Sequence, residues 1–514
     1  MAETNPRLEK LFTKRQQTLQ GGGPARVDKQ HAKGSLTARE RVALLLDPGT
    51  FRELEAMSIQ QNTTEGEPIP GDGVVTGYGK VDGRTVYVYA QDFTVQGGAL
   101  GETHAKKICR VMDLAVKTGS PIIGMIDSGG ARIQEGVKSL GGYAEIFRRN
   151  AIYSGVVPQI SLIMGPCAGG ASYSPAVTDL IIMVENKSYM FLTGPAVIKT
   201  VTGEEVDSET LGGARVHLTM SGNAHMVGAS DEDAIALCRQ TLSYLPSNNV
   251  DQAPELLTGD PINRREEALN ELVPADPRTP YSMREVILAV MDQGTFLELQ
   301  AGFAPNAIVG LARLAGRPVG VISQEPAMMA GVMDIDSADK IARTVRMCDA
   351  FNLPLVTFVD SPGFLPGVNQ EHGGIIRHGA KVLYAYAEAT VPKVSVVTRK
   401  AYGGAYVVMS SKYLGTDITY AWPSAEIAVM GAEGAANILY GKQIKAAEDP
   451  EAERARLEQE YQENYLNPYA AAQAGYIDEV IEPAETRQKL IEALEALQTK
   501  VENNPPRKHG NMPV

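Results

Sequence analysis

The feature that most constrains the fold is an apolar strand that runs into a glycine turn at residues 157–171, VPQISLIMGPCAGGA. Apolar and β-branched residues in such a run are typical of a parallel strand covered on both faces. After the strand, Gly169, Gly170 and Ala171 leave little side chain above the backbone N–H groups. A glycine turn that opens a helix presents unpaired donors to an anionic oxygen. It also lets helix and strand pack closely, so the turn alone supports either interpretation.

The same construction occurs a second time, at residues 391–405, VPKVSVVTRKAYGGA, 234 residues further along the chain. Other landmarks repeat in the same order: DPGTFREL is followed later by DQGTFLEL, and PIIGMIDSG by PLVTFVDSPG. A repeat of more than about two hundred residues is too long for a solenoid. Strands alternate with helices in each copy, which predicts two large α/β domains with parallel sheets. Because the copies have diverged, we expect each to hold a different ligand.

Charge and apolar patterning exclude several classes of protein. The net charge of −13 and a pI near 5.2 argue against a nucleic-acid partner. The longest apolar runs are strand-sized, so we expect no direct membrane insertion. The N-terminus lacks an apolar signal core and carries acidic residues, which predicts a cytoplasmic protein. The four cysteines are scattered without a C-x-x-C pair, so no metal site and no disulfide framework are expected.

Side-chain catalysis has few candidates near the two glycine turns. No carboxylate lies between residues 165 and 175, and none of the seven histidines falls on either turn. Cys167 could be a nucleophile, but the second copy has Ala401 or Tyr402 there, so a small buried thiol is the better interpretation. Backbone N–H groups remain, and one such donor contributes about 3–4 kcal/mol to stabilising an oxyanion. A set of such donors around one anionic oxygen forms an oxyanion hole. Two oxyanion holes suit a reaction that passes through an enolate or a ureido anion.

Other polar residues near the strand ends each have two interpretations. Asp127 and Asp360 follow corresponding strands, where ligands of α/β sheets sit, but helix or turn capping is favoured over catalysis. His372 and His378, in EHGGIIRHGA, could contact a ligand or be structural. The basic segment 29–41 could grip phosphates, although a solvated helix start is the favoured interpretation.

Several motifs together resemble the carboxyltransferase (β) subunits of biotin-dependent acyl-CoA carboxylases. They are DSGGARIQEG, GPCAGGASYSP, VDSPGFLPG with GGIIRHGAK, and RKAYGGAY, and the similarity covers nearly the whole chain. Propionyl-CoA carboxylase β chains, methylmalonyl-CoA decarboxylase α chains and the methylmalonyl-CoA transcarboxylase core belong to this family. The resemblance implies two tandem duplicated crotonase-like (ClpP/crotonase) domains. It also implies a homohexamer, with active sites between the N domain of one subunit and the C domain of another.

The resemblance also implies the domain limits and the site residues. We expect an N-terminal carboxyltransferase domain over residues 1–255, a linker over 256–280, and a C-terminal carboxyltransferase domain over 281–514. The first domain would hold the acyl-CoA and the second the biotin. The acyl-CoA hole would be built at Gly130, Ala131, Gly169, Gly170 and Ala171. The hole for the biotin ureido oxygen would be built at Gly363, Phe364, Gly404 and Ala405.

The implied reaction moves a carboxyl group from carboxybiotin to propionyl-CoA, or to acetyl-CoA, through a thioester enolate. In this family biotin itself serves as the base, which agrees with the missing side-chain base. The chain has neither a Met-Lys-Met biotinylation motif nor an ATP-grasp glycine loop. We therefore expect the biotin to be carried by a partner, namely a biotin carboxylase or a biotin carboxyl carrier subunit.

Val407 is a candidate for acyl-chain selectivity. It follows the second glycine motif, at a position where many propionyl-CoA carboxylases carry an acidic residue and where decarboxylase and transcarboxylase relatives tend to be apolar. The alternative function is accordingly the α subunit of a methylmalonyl-CoA decarboxylase that feeds a sodium pump. An inactive scaffold is a third hypothesis, against which the intact glycines argue. A crotonase-type hydratase is disfavoured because carboxylates are absent from the glycine turn.

Overall fold

The computed structural model describes residues 5–61 and 68–513 of the 514-residue chain. The chain forms two compact units, Met1–Gln252 and Ala253–Val514. Within the described ranges, no helix combines the length and the apolar character that crossing a membrane requires.

The first unit is a sheet with helices packed around it. Its described strands are β1 (Arg52–Glu53), β2 (Val74–Val81), β3 (Arg84–Gln91), β4 (Ile122–Ser128), β5 (Gln159–Ala168), β6 (Leu180–Val184), β7 (Tyr189–Phe191) and β8 (Met226–Gly228). Its α-helices are α1 (Pro6–Thr18), α2 (Pro24–His31), α3 (Ala38–Leu45), α4 (Glu102–Thr118), α5 (Val137–Tyr153), α6 (Tyr173–Val177), α7 (Pro195–Thr202), α8 (Ser208–Gly212), α9 (Ala214–Thr219) and α10 (Asp231–Tyr244). Short 3₁₀ turns lie at Gln96–Gly98, Ile133–Glu135 and Gly169–Ser172.

The strand order in the first sheet is β1-β2-β3-β4-β5-β6-β8, with β7 paired to β5. The Asp82-Gly83 dipeptide predicts a tight turn, and β2 and β3 form an antiparallel hairpin whose turn residues Asp82 and Gly83 have φ of 49° and 80°. Positive φ at both central residues is what a tight two-residue hairpin requires. From β3 onward the pairs β3–β4, β4–β5, β5–β6 and β6–β8 are parallel, so their carboxyl ends lie at one edge.

Helix α4 shows why this unit has one continuous core. Ile108, Val111, Met112 and Ala115 recur at helical spacing and are all buried against the sheet. An apolar stripe with this spacing is what a surface helix buries against a core. Near the N-terminus, the capping box that the Thr37-x-x-Glu40 spacing predicts is present at the start of α3.

The second unit repeats the plan. Its described strands are β9 (Leu297–Leu299), β10 (Ala307–Leu314), β11 (Arg317–Gln324), β12 (Leu355–Ser361), β13 (Lys393–Tyr402), β14 (Ile418–Ala421), β15 (Glu426–Ala428) and β16 (Glu479–Val480). Its α-helices are α11 (Leu269–Leu272), α12 (Met283–Val290), α13 (Ile335–Ala350), α14 (Val368–Gly373), α15 (Ile375–Glu388), α16 (Gly403–Val408), α17 (Ala432–Ala446), α18 (Pro450–Tyr465), α19 (Pro468–Gln473) and α20 (Thr486–Ala496). Its 3₁₀ turns are Met329–Gly331, Lys412–Leu414 and Pro483–Glu485.

The strand order of the second sheet matches that of the first. The order β9-β10-β11-β12-β13-β14-β16, with β15 paired to β13, corresponds strand by strand to β1-β2-β3-β4-β5-β6-β8 with β7 paired to β5. The duplication predicted from the sequence is therefore confirmed. A helical hairpin, α17 followed by α18, distinguishes the second unit, and it carries small apolar clusters of its own.

Residues 256–280, expected to be a linker, bond to the second unit. The N–H of Leu256 donates to the Gly316 carbonyl at 3.0 Å, and the Thr258 hydroxyl donates to Asp292 at 2.9 Å. Leu269 lies in the core of this unit. The domain limits stay a prediction, but these contacts place the segment against the second unit. At the other end, the tail crosses α15, where Asn504 donates to the Glu388 carbonyl at 2.7 Å.

Candidate active site

In each unit the two predicted loops leave neighbouring parallel strands at the same edge. β4 and β5 pair in register until Ile126, after which the register shifts and Ser128 pairs with Cys167. β12 and β13 show the same shift, after which Ser361 pairs with Ala401. The carboxyl edge of a parallel sheet is where α/β proteins bind ligands. The structure thus brings together both loops of each predicted hole.

The peptide N–H of Ala131 has no hydrogen-bond partner among the residues that the structure describes. Ala131 forms a parallel bridge with Leu100, in which the Leu100 N–H donates to the Gly130 carbonyl and the Arg132 N–H donates to the Leu100 carbonyl, both at 2.9 Å. This pattern uses the groups on either side of Ala131 and leaves its own N–H directed away from the bridge. A backbone donor left over in this way is available to an anionic oxygen.

Gly130 shapes the same loop. Its φ is 102°, and a Cβ added there would lie 2.9 Å from the Ala168 carbonyl oxygen. Its N–H donates to the Ser128 hydroxyl at 3.2 Å. A side chain would therefore both strain the backbone and separate the two loops. Gly130 acts through the shape of the loop, whereas Ala131 supplies the free donor.

The first glycine turn is a short 3₁₀ helix, Gly169–Ser172, whose first N–H groups have no partner within the helix. Gly169 has φ of 61°, which a residue with a side chain adopts only at a cost. A Cβ added at Gly170 would lie 3.2 Å from the ring of Tyr143, which packs against the turn. Ala171 is buried, and the hydroxyl of Ser172 donates to the Gly169 carbonyl at 2.7 Å.

The second unit repeats the free donor at Phe364. Phe364 bridges Met333, the Met333 N–H donates to the Gly363 carbonyl at 3.0 Å, and the Leu365 N–H donates to the Met333 carbonyl at 2.7 Å. Within the described part of the chain, the Phe364 N–H has no partner. Gly363 has φ of 144°, and its N–H lies 3.4 Å from the Ser361 hydroxyl, as in the first unit.

Helix α16 begins at Gly403, so the N–H groups of Gly404 and Ala405 belong to its unpaired first turn. A Cβ added at Gly404 would meet only the Phe364 ring, at 3.9 Å, which is ordinary contact. The two halves of the second predicted site therefore lie next to each other. Val407 lies one turn further on and its side chain is 47% exposed, so it is free to meet a ligand.

The two aspartates near the ends of β4 and β12, Asp127 and Asp360, are not caps but members of buried ion pairs. Asp127 is 2.8 Å from Arg41, and Asp360 is 3.0 Å from Arg399. Both carboxylates are buried. The capping interpretation is therefore wrong for both, because each carboxylate is oriented by a guanidinium. Burial raises the pKa of both aspartates, and their arginines oppose that shift.

The remaining sequence candidates lie outside the two holes. The Cys167 thiol is fully buried, and burial raises its pKa far above the usual range, which agrees with a structural thiol. His372 is exposed on α14, whereas His378 bonds to Asp339 at 2.9 Å. In the basic segment, Arg41 is buried, so it is unavailable to a phosphate.

A pocket of about 480 Å³ opens beside Ala131 in the first unit. Phe93 and Gln96 line it together with the segment that follows Gly129. A larger cavity of about 840 Å³ lies along α4 and α5, away from the glycine turns. Over residues 5–61 and 68–513, no cluster of three or more His, Cys, Asp or Glu side chains could hold a metal ion.

Comparisons with known proteins agree with this geometry. The profile of the Carboxyl transferase domain matches residues 29–512. The chain is 55% identical over 511 residues to the carboxyltransferase subunit of propionyl-CoA carboxylase from Haloferax mediterranei, with 99% of each sequence covered. It is 54% identical over 517 residues to the methylmalonyl-CoA decarboxylase subunit alpha of Propionigenium modestum, with both sequences fully covered.

A solved structure matches equally well over the full length. It is the hexameric transcarboxylase 12S with methylmalonyl-coenzyme A and methylmalonic acid bound, at a TM-score of 0.97 and 52% identity, covering 100% of this chain and 99% of that one. The duplicated fold and its paired turns thus define a carboxyltransferase with two crotonase-like α/β domains. The chain belongs to the carboxyl transferase domain family, and it is the carboxyltransferase component of an acyl-CoA carboxylase. The family and fold expected from the sequence are confirmed.

Proposed function

We propose that this chain transfers a carboxyl group between biotin, carried by a partner subunit, and propionyl-CoA or acetyl-CoA. The observation that carries the proposal is a pair of N–H groups, at Ala131 and Phe364, that have no partner among the described residues and lie in two diverged copies of one loop. Two anion holes on one scaffold suit a reaction with two oxyanions, the thioester enolate and the ureido oxygen. The family membership and the relatives named propionyl-CoA carboxylase support the same reaction.

In the first unit, the thioester oxygen would accept from the Ala131 N–H and from the opening N–H groups of the first glycine turn. Gly130, Gly169 and Ala171 would keep the two loops close enough for both donors to reach one oxygen. These donors are fixed before the substrate arrives, so no reorganisation is needed as charge develops on the oxygen. The 480 Å³ pocket beside Ala131 gives the acyl-CoA a place next to this hole.

In the second unit, the residues present fit the ureido oxygen of biotin. Apart from its chain neighbours, no described residue has an atom within 4 Å of a Cβ built on Gly363, and a Cβ on Gly404 would make ordinary contact with Phe364, so an anion can approach both. The N–H groups of Phe364, Gly404 and Ala405 would donate to it. When bound, biotin supplies the carboxyl group and the base, which agrees with the absence of carboxylates and histidines from the two turns.

Val407 would set the preference for the acyl chain. Its exposed apolar side chain follows the second turn, and an apolar contact worth one methyl group separates substrates by about 1–3 kcal/mol. We propose that Val407 favours the extra methyl of the propionyl group over acetyl.

The partners follow from what the sequence lacks. We propose a homohexamer, supported by the hexamer assembly of transcarboxylase 12S, that works with a biotin carboxylase and biotin carboxyl carrier chain. Neither a biotinylation motif nor an ATP-grasp loop occurs in the 514 residues. The cytoplasmic location expected from the sequence stays a prediction.

The direct test is carboxyl transfer run in reverse. Purified protein, free biotin and methylmalonyl-CoA should yield propionyl-CoA, and malonyl-CoA should yield acetyl-CoA at a lower kcat/KM. Mass spectrometry of the CoA products reports both. No product with either substrate, for a folded hexamer given saturating free biotin or a biotinylated carrier, would contradict the proposal.

The second candidate is a methylmalonyl-CoA decarboxylase. The relative from Propionigenium modestum and the apolar Val407 favour it, whereas several relatives of similar identity are named for propionyl-CoA carboxylase. Because both use the same half-reaction, the partner separates them. Co-purification with an ATP-dependent biotin carboxylase supports the carboxylase, and co-purification with an integral membrane chain supports the decarboxylase.

A further inference from the structure

Beneath each anion hole lies a buried aspartate whose arginine partner comes from a different part of the fold in the two units. Asp127 pairs with Arg41, which lies on α3, an element that precedes the sheet. Asp360 pairs with Arg399, which lies within β13 itself. The two arginines therefore do not correspond to each other in the duplication.

In each unit, the position that corresponds to the other unit's arginine holds a different residue. Aligning β5 with β13 places Gly165 opposite Arg399, and aligning the DPGTF and DQGTF segments places Arg41 opposite Val286. Gly165 leaves no room for a side chain, since a Cβ there would lie 2.1 Å from an Asp127 carboxylate oxygen. Val286 is fully buried in the second core. Each unit lacks the arginine that the other unit uses.

Both pairs join the two strand ends that carry a hole. Asp127 and Asp360 lie at the register shift between their strands, immediately before the serine that supports the loop glycine. Arg41 donates from a second nitrogen to the Met164 carbonyl on β5 at 3.0 Å. Asp360 accepts from the Lys400 N–H on β13 at 3.1 Å. In each unit, the pair thus ties the aspartate strand to the glycine-turn strand.

Charge gives a second reason why an aspartate–arginine pair occurs next to the hole in both units. A buried carboxylate without a partner next to an anion hole would oppose the oxyanion that the hole must stabilise, and in a low-dielectric site this repulsion is strong. A carboxylate already paired with a guanidinium presents almost no net charge to the loop. Arg41 also pairs with Asp231 at 2.8 Å, and Lys187 lies 3.5 Å from Asp231, so two cations face two carboxylates.

We propose that Arg41 and Arg399 are positioning residues for the two anion holes, Arg41 for the acyl-CoA oxygen and Arg399 for the biotin oxygen. This inference rests on the proposed function. Each arginine acts through its aspartate, by cancelling the carboxylate charge beneath the developing oxyanion. Neither arginine contacts substrate, so both contribute to kcat and leave substrate binding almost unchanged.

The test compares charge rescue in the reverse-transfer assay. R41M should lower kcat at least about tenfold with KM for methylmalonyl-CoA within about threefold, and R41M/D127N should recover most of the lost kcat. The kcat deficit of R41M should grow as the pH rises, because ionised Asp127 then lacks its cation; Asp231 and Gln30 are the other groups that face it. R399M should likewise lower kcat at least about tenfold, with KM for biotin within about threefold, and R399M/D360N should recover most of the lost kcat.

A matched control separates positioning from stability. Arg487 forms a buried pair with Asp292 at 2.7 Å, at the hairpin end of the second sheet and away from the glycine turns. R487M should lower the Tm, as R41M does, but leave kcat of the folded hexamer within about twofold of the wild type. Loss of kcat in R487M equal to that in R41M would overturn the proposal.

Two further results would overturn it. One is a folded R41M that keeps the wild-type kcat, and the other is a folded R41M/D127N that is as slow as R41M. If R41M does not fold, R399M and R399M/D360N are judged by the same two results. A wild-type hexamer without turnover would instead overturn the proposed function, and this inference with it.

Discussion

Ala131 and Phe364 occupy the same place in the two units, and each has a peptide N–H that the surrounding parallel bridge leaves unpaired. The bridges to Leu100 and Met333 use the carbonyl of the preceding residue and the N–H of the following one. A backbone donor fixed by its neighbours on both sides cannot turn away, which is what stabilisation of a developing oxyanion requires. The fold therefore carries the proposed chemistry in its backbone.

Gly404→Asp should abolish carboxyl transfer while the hexamer stays intact. A Cβ at Gly404 meets only Phe364 at 3.9 Å, so the side chain fits, but its carboxylate would occupy the place of the anion. We expect kcat to fall by at least about a hundredfold in the reverse assay, as for a lost oxyanion donor, because the carboxylate would block the N–H groups. Gly404→Ala is the matched control and should keep kcat within about threefold, since it adds no carboxylate.

Gly170→Asp should also abolish transfer, with an added cost in stability. The Cβ would lie 3.2 Å from the Tyr143 ring, so the helix below must shift. Its Tm should fall, whereas that of Gly404→Asp should not. Native mass spectrometry checks the hexamer in both. Retained turnover in either variant would contradict the backbone-hole account.

Val407→Asp should change substrate preference without changing stability. The side chain is 47% exposed, so a charge there needs no desolvation. An aspartate would remove the apolar contact that we assign to the methyl of methylmalonyl-CoA. The ratio of kcat/KM for methylmalonyl-CoA over malonyl-CoA should fall about tenfold. Val407→Ile is the control and should keep the ratio. An unchanged ratio in Val407→Asp would show that Val407 does not set the preference for the acyl chain.

The strands, the glycine turns and the duplication could be predicted from the sequence because they depend on local patterns. Apolar runs ended by glycine report strands and turns wherever they occur, and the hairpin at Asp82-Gly83 followed from its turn residues alone. Helix boundaries depend on the backbone as well as on the residue pattern. The sequence predicts a helix over 97–117, but α4 begins at Glu102 because Gly97, with φ of 64°, lies in a 3₁₀ turn.

The ion pairs beneath the holes could not be predicted, because their partners are brought together only by the tertiary fold. Arg41 and Asp127 are separated by 86 residues, and Arg41 lies in a basic segment that suggests solvent or phosphate contacts. A signal was nevertheless present in the duplication. A glycine, Gly165, aligns with an arginine, Arg399, at a buried strand position. This difference indicates that the two copies supply the cation for the neighbouring aspartate from different places.

The four cysteines should be unreactive in the folded protein. Cys109, Cys167, Cys238 and Cys348 are all free and buried, and burial raises the pKa of Cys348 from 9.0 to about 12. A thiol-reactive chromogenic disulfide should therefore modify none of them in native buffer and all four in denaturant. Rapid modification of Cys167 in the native hexamer would contradict its assignment as a structural thiol.

The same shift gives a pH dependence of known sign. The folded-state pKa of Cys348 is raised, so its contribution to stability is fully present below pH 9 and is lost as the pH rises from about 9 to about 12. Between these two pH values, the free energy of unfolding falls by up to about 1.4 kcal/mol per pH unit for one thiol. Denaturant unfolding of the wild type and Cys348→Ala at pH 8 and pH 10 checks it: the stability difference between the two should shrink at the higher pH.

Lys340 should stabilise the second unit more than its counterpart Lys107 stabilises the first. The Lys340 ammonium is buried and donates to the carbonyls of Gln300, Phe303 and Ala307 at 3.0, 2.8 and 2.7 Å. Lys107 donates to two carbonyls, those of Gly71 and Val74, at 2.8 and 2.5 Å.

Lys340→Met would remove one donor from each of these buried carbonyls, although the Gln300 carbonyl would still accept from the Phe303 N–H. Each group left unsatisfied costs about 1–3 kcal/mol. We expect a loss of about 3–4 kcal/mol in the free energy of unfolding for Lys340→Met, and a smaller loss for Lys107→Met. The control is Lys106→Met, because that side chain is 72% exposed and pairs with Glu102 on the surface, so its change should stay within about 0.5 kcal/mol. Denaturant unfolding followed by circular dichroism measures all three. Equal losses for Lys340→Met and Lys106→Met would show that the carbonyl cluster does not need the ammonium group.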